Sequence, residues 1–243
     1  MHPLLPIANF IQRIVVDVPC RVDDAELARI PAKGPAIVAA NHISAIEIPA
    51  MLSHLYPRKS TGLAKSESWR NPLYRLLYWI YRAVPVRRGE VDLNAIRLCL
   101  ERLSEGYVLA VAPEGTRSHH GELQQARSGV ALLAVRSGAP VFPLGYFGHE
   151  DLWQNMCRLK RTPFIIRVGN PFTIDLHGER MNKDTSQLIT DEIMYQIAAL
   201  MPPKYRGVYA DFSKATEHYL KFEPGAGSNL YRAVEMENFQ FSG

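Results

Sequence analysis

The sequence predicts an α/β fold, a single domain built on a mostly parallel mixed sheet flanked by helices. Three observations carry this expectation. Short uninterrupted apolar runs recur along the chain, the pattern of strands buried on both faces. Stretches of helical periodicity alternate with them, as crossover connections require. The chain of 243 residues, 47% hydrophobic and 21% charged, is long and apolar enough for one large core and shows no general disorder.

Taken in order, the first 21 residues read as an amphipathic N-terminal segment. "PLLPIANFIQRIVV" comes nearest to a membrane span, but Pro6, Gln12 and Arg13 interrupt it, and no run reaches the roughly 18 uncharged apolar residues a span needs. Any membrane contact is therefore expected to be peripheral. The Met1 end lacks the charged-then-apolar pattern of a secretory leader, which points to the cytoplasm. Residues 22–210 form the expected domain body. Its strands are "GPAIVAA" (34–40), "GYVLAVA" (106–112), "APVFPLGYF" (139–147) and "FIIRVG" (164–169), and "VPVRRGEVD" (84–92) reads as the end of another apolar strand. Helices are expected over 44–55, 69–84, 91–104, 127–137 and 184–200. Past Tyr209 the periodicity fades, so 211–243 reads as a tail, with "EPGAGSN" (223–229) flexible.

Composition excludes several classes. Cys20, Cys99 and Cys157 are too few and scattered for a disulfide framework or a zinc site. No His, Cys, Asp or Glu cluster has ligand spacing, so neither metal nor other cofactor is expected. The net charge of +4 is a mild bias toward anionic partners. Basic residues are dispersed and carry no nucleic-acid fingerprint, and no G-x-S-x-G elbow supports a serine hydrolase.

Ligands of such sheets gather at the carboxyl ends of strands, where "NHISAIE" and "PEGTRS" both fall. His42, just past a buried strand, is suited to take a proton near neutral pH. Glu47 could hold one ring nitrogen of His42 and fix its tautomer. Ser44 and Glu47 equally spell a capping box, and the stretch by itself does not separate the two. Pro113-Glu114-Gly115-Thr116-Arg117 supplies a turn with a hydroxyl and a guanidinium, groups suited to a phosphate monoester. Arg87 and Arg88 add two more cations. His119 and His120 read as solvated loop, and the isolated His54 and His149 as surface or satisfied residues.

As an ordered set these stretches resemble the glycerophospholipid acyltransferase family, the relatives of 1-acylglycerol-3-phosphate O-acyltransferase. Its four blocks correspond to Asn41-His42 through Glu47, Val84 to Gly89, Ala112 to Ser118, and Ala139 to Pro143. The resemblance spans Val22 to Tyr209 and implies a glycerol-3-phosphate acyltransferase-like fold. It implies His42 as general base toward the acceptor hydroxyl and Glu47 as its partner. Arg88, Glu114, Gly115, Thr116 and Arg117 would form the acceptor site, with Arg88 and Arg117 on the phosphate, and Pro143 would line the acyl pocket. The implied reaction moves a fatty acyl group from acyl-CoA or acyl-carrier protein, as co-substrate, to the free hydroxyl of 1-acylglycerol 3-phosphate at the cytoplasmic face of a membrane. The alternatives are another lysolipid acceptor, or a lipid-binding peripheral protein without turnover. Two departures stand out: Glu47 occupies the place of an aspartate, and Ala112 that of a phenylalanine, which enlarges the pocket.

"WRNPLYRLLYWIYRAVPVRR" (69–88) completes the reading. At about 100° per residue, Trp69, Leu73, Leu76, Leu77, Ile80 and Val84 share one arc, with Asn71, Arg75 and Arg82 opposite. Such a helix could pack on the sheet or lie among lipid headgroups.

Overall fold

The computed structural model describes residues 2–87, 92–118 and 120–239. The chain begins with helix α1 (Leu5–Asp17), edge strand β1 (Cys20–Asp23) and central strand β2 (Ala36–Ala40). Helix α2 (Glu47–His54), strand β3 (Ser60–Lys65), helix α3 (Pro72–Ile80) and the short β4 (Val84–Val86) follow. Next come α4 (Leu93–Ser104), β5 (Val108–Val111), α5 (Gly129–Ser137), β6 (Val141–Phe147) and α6 (Leu152–Cys157). The last elements are β7 (Thr162–Val168), β8 (Phe172–Ile174), α7 (Lys183–Ala198), β9 (Leu220–Phe222) and α8 (Arg232–Glu237).

All the described strands join one sheet in the order β1-β7-β6-β2-β5-β3-β4, with β8 beside β6 and β9 beside β8. β2 runs parallel to both β5 and β6, β3 to β5 and β4, and β1 to β7, whereas β6 meets β7 and β8 antiparallel. This is the mostly parallel mixed sheet the apolar runs predict. β2 shows why: all five of its residues are buried. Ile37 and Ala39 enter the core layer shared with α4, α5 and α7, while Ala36, Val38 and Ala40 enter the layer beneath α1 and α2. Alternate side chains of one strand thus feed two cores.

Two expectations differ from the structure. The helix expected over 69–84 stops at Ile80, because Arg82 turns into the left-handed region (φ 53°) and Val84–Val86 pairs with β3 instead. Of α3's residues only Ile80 is buried, and Leu73, Leu76 and Trp79 face outward. The second difference lies at the end of "EPGAGSN", expected as flexible: Glu223, Pro224, Gly225 and Gly227 are exposed, but the last residue is anchored. Asn229 is fully buried, its Oδ1 accepting from Asn170 N at 2.6 Å and its Nδ2 donating to Gln196 Oε1 at 2.9 Å. Arg232 then pairs with Glu26 at 2.7 Å. Polar anchors leave no apolar periodicity to read, which is why this segment looks like a linker.

Candidate active site

The adjacent parallel strands β6, β2 and β5 present their carboxyl ends side by side. Asn41 follows β2 and extends its ladder with an amide side chain. Its Nδ2 donates to the Tyr146 carbonyl at 2.8 Å, and its Oδ1 accepts from the Tyr146 N–H at 2.7 Å. Next in line, His42 is held by its backbone between two parts of the loop after β5. Its N–H donates to Glu114 Oε1 at 3.1 Å, and its carbonyl accepts from Ser118 N at 2.7 Å. Glu114 Oε2 accepts a second amide, Gln124 N, at 2.9 Å.

The His42 imidazole meets Glu47 at the first turn of α2, Nδ1 lying 2.6 Å from Oε2. The longer glutamate therefore reaches. Its other oxygen, Oε1, accepts from the backbone N–H groups of Ile43 and Ser44, both at 2.8 Å. Ser44 Oγ accepts from Ile46 N rather than from Glu47 N, so only half of a capping box forms. Orienting acid and helix-start acceptor are thus two uses of one carboxylate. A third donor was not legible in the sequence: His149, in the loop after β6, places Nε2 2.8 Å from Glu47 Oε1. Both the Glu47 and His149 side chains are completely buried.

Burial by itself would raise the Glu47 carboxyl. The hydrogen bonds and charges of His149 and His42 outweigh it and hold the group below the usual carboxylate range. With Glu47 ionised, His42 must donate through Nδ1, which leaves Nε2 as the accepting nitrogen. Glu114 goes the other way: burial pushes it up to about 7 against the two amide donors. His54 is also satisfied, its Nδ1 lying 2.6 Å from Asp24 Oδ2.

His42 borders a cavity of about 590 Å³ between the sheet, α4 and α5. Leu63, Ile96, Cys99, Val130 and Leu133 form apolar wall, and Ala112, Gly115, Arg87 and Arg127 also line it. Gly115 is required here, since its φ is 72° and a Cβ would stand 3.1 Å from Arg127 Cδ. The remaining expected residues distribute unevenly. Glu114 staples the loop to the His42 backbone rather than facing the cavity. Thr116 and Arg117 are exposed and not part of the cavity wall. Arg88 lies outside the described residues. Pro143 corrects an expectation: it is buried in the middle of β6, its carbonyl accepting from Gly169 N at 2.9 Å and its ring against Gly169, away from the cavity lining. Arg127, which no motif singled out, takes its place at the cavity because Arg127 N donates to the Pro113 carbonyl at 2.9 Å and folds the loop back. Among the described residues no group of His, Cys, Asp and Glu could hold a metal ion.

The family described as Acyltransferase matches residues 21–147, more than half of the chain. The chain belongs to the glycerophospholipid acyltransferases. Among its relatives, the Homo sapiens "1-acyl-sn-glycerol-3-phosphate acyltransferase alpha" is 25% identical over 215 residues, 85% of this chain and 71% of that protein. The Drosophila melanogaster "Tafazzin" is 25% identical over 69% of this chain. The Cocos nucifera "1-acyl-sn-glycerol-3-phosphate acyltransferase" is 27% identical over 60% of it. The chain spans about half the length of the last two relatives, 50% and 49% respectively. Its fold matches the crystal structure of the 1-acyl-sn-glycerophosphate acyltransferase PlsC from Thermotoga maritima, with a TM-score of 0.58 at 24% identity over 78% of this chain and 76% of that one.

Proposed function

We propose that this acyltransferase moves a fatty acyl group from the thioester of acyl-CoA or acyl-carrier protein to the free hydroxyl of 1-acylglycerol 3-phosphate. The observation that carries this reading is the oriented imidazole of His42 on the wall of a largely apolar cavity that Arg87 and Arg127 also border. His42 Nε2 takes the proton of the acceptor hydroxyl as its oxygen attacks the thioester carbonyl. The tetrahedral adduct then collapses, the C–S bond breaks, and the imidazolium returns the proton to the departing thiolate. Arg127 and Arg87 hold the acceptor phosphate beside this base, and Arg117, exposed past Gly115, is available to the same headgroup. Ala112 on the cavity wall favours a second acceptor class, lysolipids with larger headgroups, so the acceptor is tested as a panel.

The test is CoA release by purified protein. Release should require a lysolipid acceptor and fall by several orders of magnitude in His42→Ala with folding intact. Release without acceptor would indicate a hydrolase, and equal release by His42→Ala would end the reading. A peripheral membrane position is part of the proposal. α1 presents Ile7, Phe10, Ile11, Ile14 and Val15 outward and α3 adds Leu73, Leu76 and Trp79, a far larger apolar face than isolated exposed residues make. No described helix is long and apolar enough to cross a membrane.

A further inference from the structure

We propose that His149 is a positioning residue for His42, acting through Glu47, so that the working unit is a buried chain His42–Glu47–His149. This rests on the function proposed above and extends it to a residue outside all four sequence blocks.

Glu47 is fully buried, and a carboxylate in that position survives only if its lone pairs are met. Three donors converge on Oε1, and two of them are backbone amides within a few residues, fixed by the loop itself. Only His149 comes from a different strand end, 102 residues away. Its ring packs against Phe164, tilted by 38° with centroids 4.3 Å apart, a contact that holds it in place without offering a polar partner. Its Nδ1 is buried and makes no hydrogen bond among the described residues, so the side chain's polar contact is the one to Glu47. A buried histidine whose single polar contact is the acid of an acid–imidazole pair has no evident structural reason to be polar at all. An apolar ring would pack as well against Phe164. The chemistry that needs the N–H is the carboxylate. With this donor, Glu47 stays ionised and its Oε2 stays directed at His42 Nδ1.

The direction of the consequence follows from the surroundings. The titratable groups facing Glu47 are His42 from the loop after β2, Glu114 from the loop after β5, Tyr146 from β6, and His149 itself. Removing the His149 donor leaves the carboxylate poorly stabilised, and the His42–Glu47 pair then takes up its proton at higher pH. The acid limb of turnover moves up with it.

The test compares His149→Phe, which keeps the ring and loses the donor, with His149→Gln, whose amide nitrogen reaches about where Nε2 lies. Full-length protein is assayed for acceptor-dependent thioester consumption, and the His42 ring protons are followed against pH by NMR. His149→Phe should lose about ten-fold or more in kcat with little change in KM, since a hydrogen bond to a charged group is removed. Its His42 midpoint should rise. His149→Gln should stay near wild type in both readouts. If His149→Phe does not fold, His149→Asn, polar but too short to reach Glu47, should show the same loss and shift. An unchanged His42 midpoint in the donor-less variants, or equal damage in His149→Gln, overturns the proposal. Absence of turnover in wild type would instead overturn the functional reading, while the NMR shift would still decide the role of His149.

Discussion

Glu47→Gln separates the two uses of the buried acid. In the wild type Oε1 accepts from Ile43 N, Ser44 N and His149 Nε2, each at 2.8 Å, and Oε2 faces His42 Nδ1 at 2.6 Å. A glutamine keeps the first three contacts by placing its carbonyl oxygen where Oε1 stands. Its amide nitrogen then faces Nδ1 at hydrogen-bond distance, and two donors cannot share that position. His42 must present the Nδ1 lone pair and carry its proton on Nε2, the nitrogen that should act as base. A wrong tautomer of this kind costs about 10,000-fold in kcat in a hydrolase triad whose geometry stays intact. Stability should change far less, by about 1 kcal/mol for one charge-assisted contact made neutral, a shift of roughly 2–4 °C in Tm at this chain length. The assay is acceptor-dependent CoA release alongside thermal unfolding. A variant that retains kcat within about ten-fold of wild type refutes the tautomer argument and leaves Glu47 as a helix-start acceptor only.

Three further outcomes follow from the same geometry. Arg127→Ala should raise the apparent KM for the lysolipid acceptor about ten-fold, with a smaller effect on kcat; an effect confined to the acyl donor in initial-rate kinetics would contradict the phosphate assignment. Gly115→Ala should cost about 1–2 kcal/mol in denaturant unfolding, because φ is 72° and the new methyl displaces Arg127, and its acceptor KM should rise as well. For Glu114, the folded value of about 7 exceeds the ordinary 4.5. Between these limits the native state holds a proton that the unfolded chain has released. Stability from this group is therefore complete below pH 4.5 and declines as pH rises toward 7, by at most about 3 kcal/mol. Urea unfolding of wild type and Glu114→Gln across that range should show the decline only in wild type.

Much of the frame was legible from residues alone. β2, β5 and β6 announce themselves because strands covered on both faces cannot afford polar interruptions. β3 did not, since Ser60, Thr61 and Gly62 satisfy a buried position without apolar character. β1, with Cys20 buried, Val22 half-buried and Arg21 and Asp23 exposed, carries too little pattern in four residues. Within the site, His42 and Glu47 sit on one short segment and were read together. His149 and Arg127 were not, because what brings them in is the parallel register of β6 with β2 and a loop folded back by a single amide, neither written as local spacing. Pro143 failed for the opposite reason. Its block has the right order along the chain, but the strand directs that ring toward Gly169.

The clasp around His42 has a consequence for handling the molecule. Its own amide and carbonyl grip the 114–118 loop, while the neighbouring Asn41 grips β6. Segments more than a hundred residues apart must all be docked before the imidazole has a defined direction. Residual turnover during heating should consequently disappear in step with sheet circular dichroism, which makes activity a gauge of conformational integrity. A circular permutant opened inside the 114–118 loop should fold to a normal sheet and be catalytically silent.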